Sequence, residues 1–490
     1  MRSPDPRTVP GGRLTSRSTW ALIGALIALV GALALCLDRG HNGDFYMSLL
    51  GGRFISAHGV VNHDPFPTIA HGGTWLNQQW LSELAFFRVE GSLGQTGVTI
   101  LYAVLLAAPL ALLLWLCRQK GAVMLIAITV VYFPGVLAIV HPRAAGFTVL
   151  AFSALVALIA AAWRVRGAER RGRGMVLAVI AILALFALWA NLHGGFVAGL
   201  LLIALVTVGL AIDHRRGIPE TASPRRVAIL GLIGVLAAAT VSLATPLGGA
   251  IWSYLLSFQN SAIDHASQEW RSALSDPPAM VYVGVVAAFA ILTWIRSPRP
   301  RRATALLVSV GFVAFAIISL RNIIFVAPAL AFQIAWSAPD RAMQTLRLPI
   351  AVAGSAAAAA VLFWAAVLGP AQADTYLRSP VVDYALAHPP KNGKIVTYAG
   401  VGSYMLWRSP RAPVVINGWL EHFTPQQLTD TYGVLRGYTP DLLGAVNRLQ
   451  IGAVIAHVPA AIRRLEAAGF EPRFTAPDGT YLVRERSKPN

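Results

Sequence analysis

The chain has 490 residues, of which 56% are hydrophobic and only 13% are charged, and its formal net charge is +18. A soluble domain carries about 25% charged residues, so long apolar runs separated by short basic loops indicate a polytopic α-helical membrane protein. The positive charge does not indicate nucleic-acid binding, because the arginines cluster between apolar runs on alternate sides, as the positive-inside rule describes.

The N-terminal part predicts a cytoplasmic tail followed by a membrane anchor. Residues 1–18 are rich in Pro, Gly and Arg and are expected to be disordered in the cytoplasm. Residues 19–37 are apolar and close to the length that one crossing needs. The polar segment 38–97 then lies outside the membrane. Cys36 and Cys117 fall at helix ends on opposite faces, so no disulfide is expected between them.

Further apolar runs continue the alternation between the two faces, with residues 245–279 as a second long external loop. The runs are residues 98–116, 121–140, 144–163, 175–190, 196–212, 227–244 and 280–295. Residues 303–336 are too long for one crossing of a ~30 Å hydrocarbon core at ~1.5 Å per residue. We therefore predict two short helices there with Arg321 and Asn322 at the turn. Residues 350–368 complete about eleven spans and a membrane domain at 19–368.

The composition changes at residue 369, and residues 369–490 predict a small external α/β domain. Short apolar runs that read as buried strands are residues 394–398, 413–416, 451–455 and 480–483. Predicted helices are residues 425–435, 440–449 and 460–468, the first two opened by a Thr-Pro pair. Strands alternating with helices favour a partly parallel sheet. The domain contains no phosphate-binding Gly motif, metal-spaced Cys/His set or nucleophile elbow.

Ionisable and amide side chains collect at the predicted external helix ends, whereas the internal ends carry mainly arginine. The external set comprises Asp44, Asp64, Glu83, His141, Arg143, Asn191, His193, Glu269, Arg321 and Asn322. Such groups are costly at membrane depth, so they usually pair or line a functional cavity. We predict an external site in which Asp44, Asp64 and Glu83 are the candidate catalytic groups. The other members of the set, with Arg53 of the first loop, are the candidate substrate-binding groups.

The three carboxylates also have structural interpretations. Asp44 is equally suited to cap a helix that begins near Phe45. Asp64 precedes a proline and fits a turn. Glu83 lies on an amphipathic stretch and fits a solvated helix face. The sequence leaves these alternatives open.

The basic residues have structural interpretations as well. Arg143 and Arg321 at helix ends would reach the interface as snorkelling side chains. His193 would hydrogen-bond to Asn191. The combined set nevertheless has a coherent chemistry, because carboxylates accept a proton from a hydroxyl nucleophile and arginines bind phosphate in a bidentate manner. A lipid-linked sugar phosphate would place its tail in the bilayer and its phosphate at the helix ends.

Several short motifs, together with the long first external loop and the C-terminal domain, resemble the GT-C superfamily of membrane glycosyltransferases, in its bacterial, polyprenyl-phosphate-sugar-dependent type. The motifs are Gly43-Asp44-Phe45-Tyr46, His63-Asp64-Pro65-Phe66, residues 75–83, Trp189 to Gly194, Glu269-Trp270, Arg321-Asn322, residues 402–404 and residues 415–418. The resemblance implies an inverting glycosyltransferase that moves a sugar from a polyprenyl-phosphate donor to a glycan, lipid or protein acceptor. It places this reaction at the external face of a bacterial inner membrane and makes Asp44 the base or the acceptor-orienting group.

Two departures from the family pattern bear on cofactor and site. Many relatives carry two adjacent acidic residues where this chain has Asp44-Phe45, so the spacing supports no metal site and the cofactor is left open. Related C-terminal segments often carry Asp-Gly-Arg where this chain has Asn417-Gly418-Trp419, so no catalytic role is expected for that loop.

Two other classes of function remain open at this point. A transporter or flippase of a lipid-linked glycan would carry ionisable or Gly/Pro-broken positions near the bilayer midplane and internal repeats. A non-catalytic membrane scaffold would use its external domain to bind a partner. The sequence places its polar residues at helix ends, which favours the glycosyltransferase.

Overall fold

The computed structural model describes residue 31 and residues 41–120, 122–165, 171–218, 224–257, 268–298, 300–337 and 376–484. The predicted cytoplasmic tail and the predicted span at residues 350–368 lie outside the described residues, as does the predicted span at residues 19–37 except for residue 31.

The part before the C-terminal region is a bundle of apolar helices. They are α1 (Gly43–His58), α2 (Trp80–Leu116), α3 (Ala122–Leu137), α4 (Ala145–Val165), α5 (Arg171–Leu192), α6 (Phe196–Arg215), α7 (Pro224–Val241), α8 (Ala250–Ser257), α9 (Pro277–Ile295), α10 (Ala303–Ile318) and α11 (Val326–Ser337). Within the described ranges, six helices are long and apolar enough to cross a membrane, and two shorter apolar helices accompany them. The chain is therefore a multi-pass membrane protein.

The segment predicted as the first external loop, residues 38–97, is more helical than its polar sequence suggested. It contains α1, and α2 begins at Trp80 rather than at the predicted residue 98. Within α2 the backbone breaks at Gly94, where φ is 67° and ψ is −174°. Glycine adopts this conformation without a steric penalty because it has no Cβ atom. The break separates an amphipathic first part, which carries Glu83, from the apolar second part.

The long apolar run at residues 303–336 forms two helices, as its length predicted. Helix α10 ends at Ile318, and a 3₁₀ segment, Leu320–Phe325, contains the predicted turn residues Arg321 and Asn322. Helix α11 follows directly and returns along α10, with Ser309 Oγ 3.2 Å from the carbonyl oxygen of Ala329. The predicted break is confirmed, and it brings Arg321 to one end of the bundle.

The C-terminal region is an α/β unit with a four-stranded mixed sheet. Its elements are α12 (Pro380–Ala387), β1 (Lys394–Val396), α13 (Ala399–Arg408), α14 (Pro425–Arg436), α15 (Leu442–Arg448), β2 (Ile451–Ala456), α16 (Pro459–Ala467), β3 (Phe470–Ala476) and β4 (Gly479–Arg484). The strand order is β1-β2-β4-β3, with β1 parallel to β2 and the other pairs antiparallel. The partly parallel sheet is thus confirmed.

Two local predictions in this region are wrong, the strand at residues 413–416 and the helix start at residue 440, and one strand was missed. Residues 413–416 contribute only an isolated bridge between Val414 and Ile395, and β3 was not predicted. The Thr424 cap of α14 is confirmed as a capping box with Gln427. Helix α15, in contrast, is capped by Asp441, which accepts from the amide of Gly444, so it begins after the predicted Thr-Pro pair.

The C-terminal unit packs on α1 at one end of the helix bundle. A Cβ atom on Gly43 would lie 2.1 Å from the Cα atom of Gly400, so only glycine permits this contact between α1 and α13. Arg53 donates to the carbonyl oxygens of Trp407 at 2.9 Å and Leu406 at 3.0 Å. Through these bonds Arg53, a candidate substrate-binding residue, links α1 to the end of α13.

Candidate functional site

The first carboxylate of the site lies at the start of α1. Asn42 caps the helix, because its side-chain oxygen accepts from the amide of Phe45 at 3.2 Å. Asp44 is therefore not the cap but lies in the first turn, where the helix dipole favours a negative charge. Its side chain is 35% exposed, so the carboxylate remains accessible.

Arg143 lies in the turn between α3 and α4 and connects two acids. Its NH1 atom is 3.2 Å from Asp44 Oδ2 and also contacts Glu269 Oε1, and its NH2 atom donates to Glu269 Oε2 at 2.6 Å. Burial lowers the pKa of Arg143, but the charges of Glu269 and Asp44 raise it well above its ordinary value. Burial raises the pKa of Glu269, but Arg143 brings it below its ordinary value. Arg143 and Glu269 therefore form a charged pair.

The segment that carries Glu269 is held against the turn between α10 and α11. Ser319 Oγ donates to the carbonyl oxygen of Glu269 at 2.9 Å, and the amide of Leu320 donates to the carbonyl oxygen of Arg271 at 2.9 Å. This arrangement lets the guanidinium of Arg321 stack over the Trp270 ring, with its central carbon 3.9 Å from the ring centroid. With the residues that the structure describes, Arg321 makes no hydrogen bond or ion pair.

A cavity of about 580 Å³ opens beside these groups. Arg143, His193, Arg321 and Asn322 supply polar atoms to its wall. The apolar part of the wall is formed by Ile139, Val197, Leu255, Phe315, Ile318, Ile324 and Phe325. Such a cavity matches an amphipathic ligand with an anionic group and an apolar tail.

His193 is a neutral residue of the cavity wall. The amide of Gly195 donates to His193 Nδ1 at 3.1 Å, and Thr148 Oγ1 lies 2.8 Å from the same nitrogen. Because Nδ1 accepts, the proton of the neutral ring belongs on Nε2. Burial, and then the charges of Arg321 and Arg143, lower the pKa of His193 to about 3. His193 therefore offers an uncharged hydrogen-bond donor, and its predicted partner Asn191 is not among its contacts.

Asn191 and His141 support the site from its edge. Asn191 Oδ1 accepts from Trp80 Nε1 at 2.9 Å, and its Nδ2 donates to the carbonyl oxygen of Ala244 at 2.8 Å. Asn191 thus connects the start of α2 to the turn after α7. His141 lies in the same turn as Arg143 and contributes to the lowered pKa of Glu269.

Asp64 was a second candidate catalytic group. Like Asp44 it is not a residue of the cavity wall, but unlike Asp44 it is not paired with the wall residue Arg143. Its side chain is fully buried, and Oδ1 accepts from the amide of Phe66 at 2.8 Å. Its other oxygen lies 3.6 Å from His422 Nδ1 in the C-terminal region. These contacts match the alternative turn interpretation, and a catalytic role for Asp64 stays a prediction.

Glu83 was the third candidate catalytic group, and it is also fully buried outside the cavity wall. It accepts from Asn77 Nδ2 at 2.5 Å, Gln79 Nε2 at 2.8 Å and Trp419 Nε1 at 3.3 Å. The solvated-face interpretation is therefore wrong, and a catalytic role for Glu83 stays a prediction. Trp419 of the loop at residues 417–419 thus donates one of the hydrogen bonds to Glu83. This loop therefore packs the C-terminal unit against the start of α2.

Three residues of the site region were not predicted. Tyr254 of α8 lines the cavity and donates to Glu421 Oε1 of the C-terminal unit at 3.3 Å. Gln78 also lines the cavity, and its Oε1 accepts from the amide of Gly194. Gln78 belongs to the motif at residues 75–83, which was a usable signal. Nothing in the sequence around Tyr254 or Glu421 marks either residue.

No protein-family model and no curated protein matches the sequence. Solved structures do match the fold. ArnT from Cupriavidus metallidurans bound to undecaprenyl phosphate superposes with a TM-score of 0.61 at 14% identity, covering 96% of this chain and 100% of ArnT. The archaeal oligosaccharyltransferase AglB from Archaeoglobus fulgidus, in complex with an inhibitory peptide and a dolichol-phosphate, gives a TM-score of 0.57 at 10% identity, covering 96% and 75%.

The chain has the GT-C fold. The likeness extends over both the helix bundle and the C-terminal region, since the alignment covers almost the whole chain. A third structure, an Archaeoglobus fulgidus oligosaccharyltransferase complex with Zn and sulfate, gives a TM-score of 0.53 at 12% identity over 95% of this chain. With identities this low, the GT-C likeness establishes the fold, and the chemistry has to be argued from the residues of this chain.

Proposed function

We propose that this protein is a membrane glycosyltransferase that takes a sugar from a polyprenyl-phosphate-linked donor. The main support for this proposal is the position of Arg321. Its guanidinium lines a cavity with apolar walls and forms no ion pair with the residues that the structure describes. Arg321 stacks on Trp270, but a buried guanidinium without a hydrogen-bonded anion is costly, so its presence is best explained by an anionic ligand. The GT-C neighbours, whose structures contain undecaprenyl phosphate or dolichol-phosphate, support a lipid phosphate as that ligand.

The donor would lie with its phosphate at Arg321 and its polyprenyl chain along the apolar wall formed by residues such as Phe315 and Phe325. A guanidinium binds a phosphate through two parallel hydrogen bonds. Stacking on Trp270 keeps the plane of Arg321 in one orientation, which lowers the entropy lost on binding. The neutral His193 would add a hydrogen bond without adding charge.

Asp44 would orient and deprotonate the acceptor. In this step the acceptor hydroxyl oxygen forms a bond to the anomeric carbon while the bond from that carbon to the phosphate oxygen breaks. The hydroxyl proton passes to the Asp44 carboxylate, and the electron pair of the broken bond leaves with the polyprenyl phosphate. Arg321 stabilises the charge on that leaving group. Attack from the face opposite the phosphate inverts the anomeric configuration.

Lipid content is the direct test of the donor class. Protein purified in mild detergent should retain a polyprenyl phosphate or its glycosylated form, detected by mass spectrometry after extraction. Added glycosylated donor should then be consumed as free polyprenyl phosphate appears, with matching gain of sugar on an acceptor. A protein that retains the lipid but never converts it would be better explained as a transporter or flippase of a lipid-linked glycan. A protein with neither lipid nor conversion would be better explained as a non-catalytic scaffold.

The proposed reaction is external, in a bacterial inner membrane, with a cytoplasmic N-terminus. The end of the bundle opposite the site carries Arg215 and Arg216 at the end of α6, which suits the cytoplasmic face. In a Cys36→Ser background, Glu466→Cys on the exposed side of α16 should react with a membrane-impermeant thiol reagent in intact cells. Arg215→Cys, the matched control, should react only after permeabilisation. The reverse pattern would place the C-terminal unit in the cytoplasm.

A further inference from the structure

Arg143 occupies the space between two carboxylates from distant parts of the chain. Its NH1 atom contacts both Asp44 Oδ2, at 3.2 Å, and Glu269 Oε1. A single nitrogen atom thus serves both acids, and their oxygens are arranged around one positive centre. Divalent cations bind carboxylates in a comparable way, with metal–oxygen distances of about 2.0–2.6 Å.

A bound divalent cation does not fit this set of donors as it stands. Among the residues that the structure describes, no three His, Cys, Asp or Glu side chains are grouped as metal ligands. Arg143 fills the centre, its side chain is only 15% exposed, and a guanidinium cannot be deprotonated in a protein. A metal ion at this point would have to displace a fixed positive charge.

We propose that the guanidinium of Arg143 replaces a divalent cation in this site, so that transfer requires no metal. It balances Asp44 and Glu269, and it fixes the orientation of the Asp44 carboxylate toward the acceptor. The catalytic consequence rests on the proposed glycosyltransferase function, whereas the arrangement of charges does not. Removing Arg143 takes away the cation that contacts both carboxylates, and two carboxylates close together are the start of a divalent-cation site.

The test is a gain of metal binding. The full chain in detergent is titrated with Mn²⁺, and free Mn²⁺ is followed by electron paramagnetic resonance. The native protein should leave Mn²⁺ free, and Arg143→Ala should bind it stoichiometrically. Arg321→Ala is the matched control, because it removes a cavity arginine but leaves both acids paired with Arg143, and it should bind none. Adding Glu269→Gln to Arg143→Ala should abolish the acquired site.

Activity gives a second readout. Transfer by the native protein should be unchanged in EDTA, whereas Arg143→Ala should be strongly impaired and partly restored by Mn²⁺. Arg143→Met, which keeps the length of the side chain, serves where the alanine variant does not fold. Three results would each overturn the proposal. The first is stoichiometric Mn²⁺ binding by the native protein that is lost in Asp44→Asn, and the second is a folded Arg143 variant that leaves Mn²⁺ free. The third is native transfer that stops in EDTA and returns with Mn²⁺. Absence of transfer in every preparation would instead count against the glycosyltransferase function, and the Mn²⁺ titration would still decide the role of Arg143.

Discussion

An Asp44→Asn variant is expected to fold normally but to transfer the sugar about 10²–10⁴-fold more slowly. A positioned general base contributes about that factor to the rate. The amide has the shape of the carboxylate but accepts no proton from the acceptor. Folding is preserved because Asp44 is 35% exposed and Arg143 keeps its bidentate pairing with Glu269. The transfer rate is measured with saturating donor, alongside the chromatographic profile and the amount of bound lipid.

Asp383→Asn is the control for this variant. Asp383 is an acid of the C-terminal unit that pairs with Arg408 at 3.5 Å, and its side chain is 58% exposed. An exposed pair of this kind contributes little to stability, so the variant should keep the native transfer rate. Near-native turnover by Asp44→Asn would remove Asp44 from the mechanism. The proton acceptor would then have to be sought among the other acids near the cavity, Glu269 and Glu421.

The sequence predicted which end of the bundle carries the polar residues but not how each of them is used. Alternating helices bring every second turn to the same end, so the turns that hold Arg143, His193 and Arg321 had to lie near one another. The length of residues 303–336 required a break, and the polar pair at residues 321–322 marked its place. These conclusions depend only on helix geometry and on the thickness of the bilayer.

The individual roles depend on contacts between residues far apart in the sequence. Trp419 donates to Glu83, and Arg53 donates to the carbonyl oxygen of Trp407. These pairs are 336 and 354 residues apart in the sequence. Without those partners, a buried structural carboxylate and a catalytic one look the same in a sequence. Strand β3 was missed for a local reason, because it is an edge strand with Glu471 exposed and little apolar alternation.

The two arginines of the cavity differ in the charge left for a ligand. Arg143 is offset by Asp44 and Glu269, so the three groups together carry net negative charge and will not attract a phosphate. Arg321 is stacked on Trp270 and has no anionic partner within hydrogen-bond distance among the described residues. The donor phosphate should therefore depend mainly on Arg321, although both residues were predicted from sequence as phosphate ligands.

Arg321→Ala is expected to weaken binding of the polyprenyl-phosphate donor by about 1.5–3 kcal/mol, the range for a hydrogen bond to a charged group, or roughly 10- to 150-fold in Kd. Arg321→Lys should restore part of the loss, because it returns the charge without the planar fork. Arg408→Ala, which removes a half-exposed arginine of the C-terminal unit, should leave the donor Kd unchanged. Donor binding is measured by titrating the purified variants with the lipid phosphate and again with its glycosylated form. Native affinity in Arg321→Ala for both lipids would mean that this arginine only packs on Trp270, and the phosphate would have to be held elsewhere.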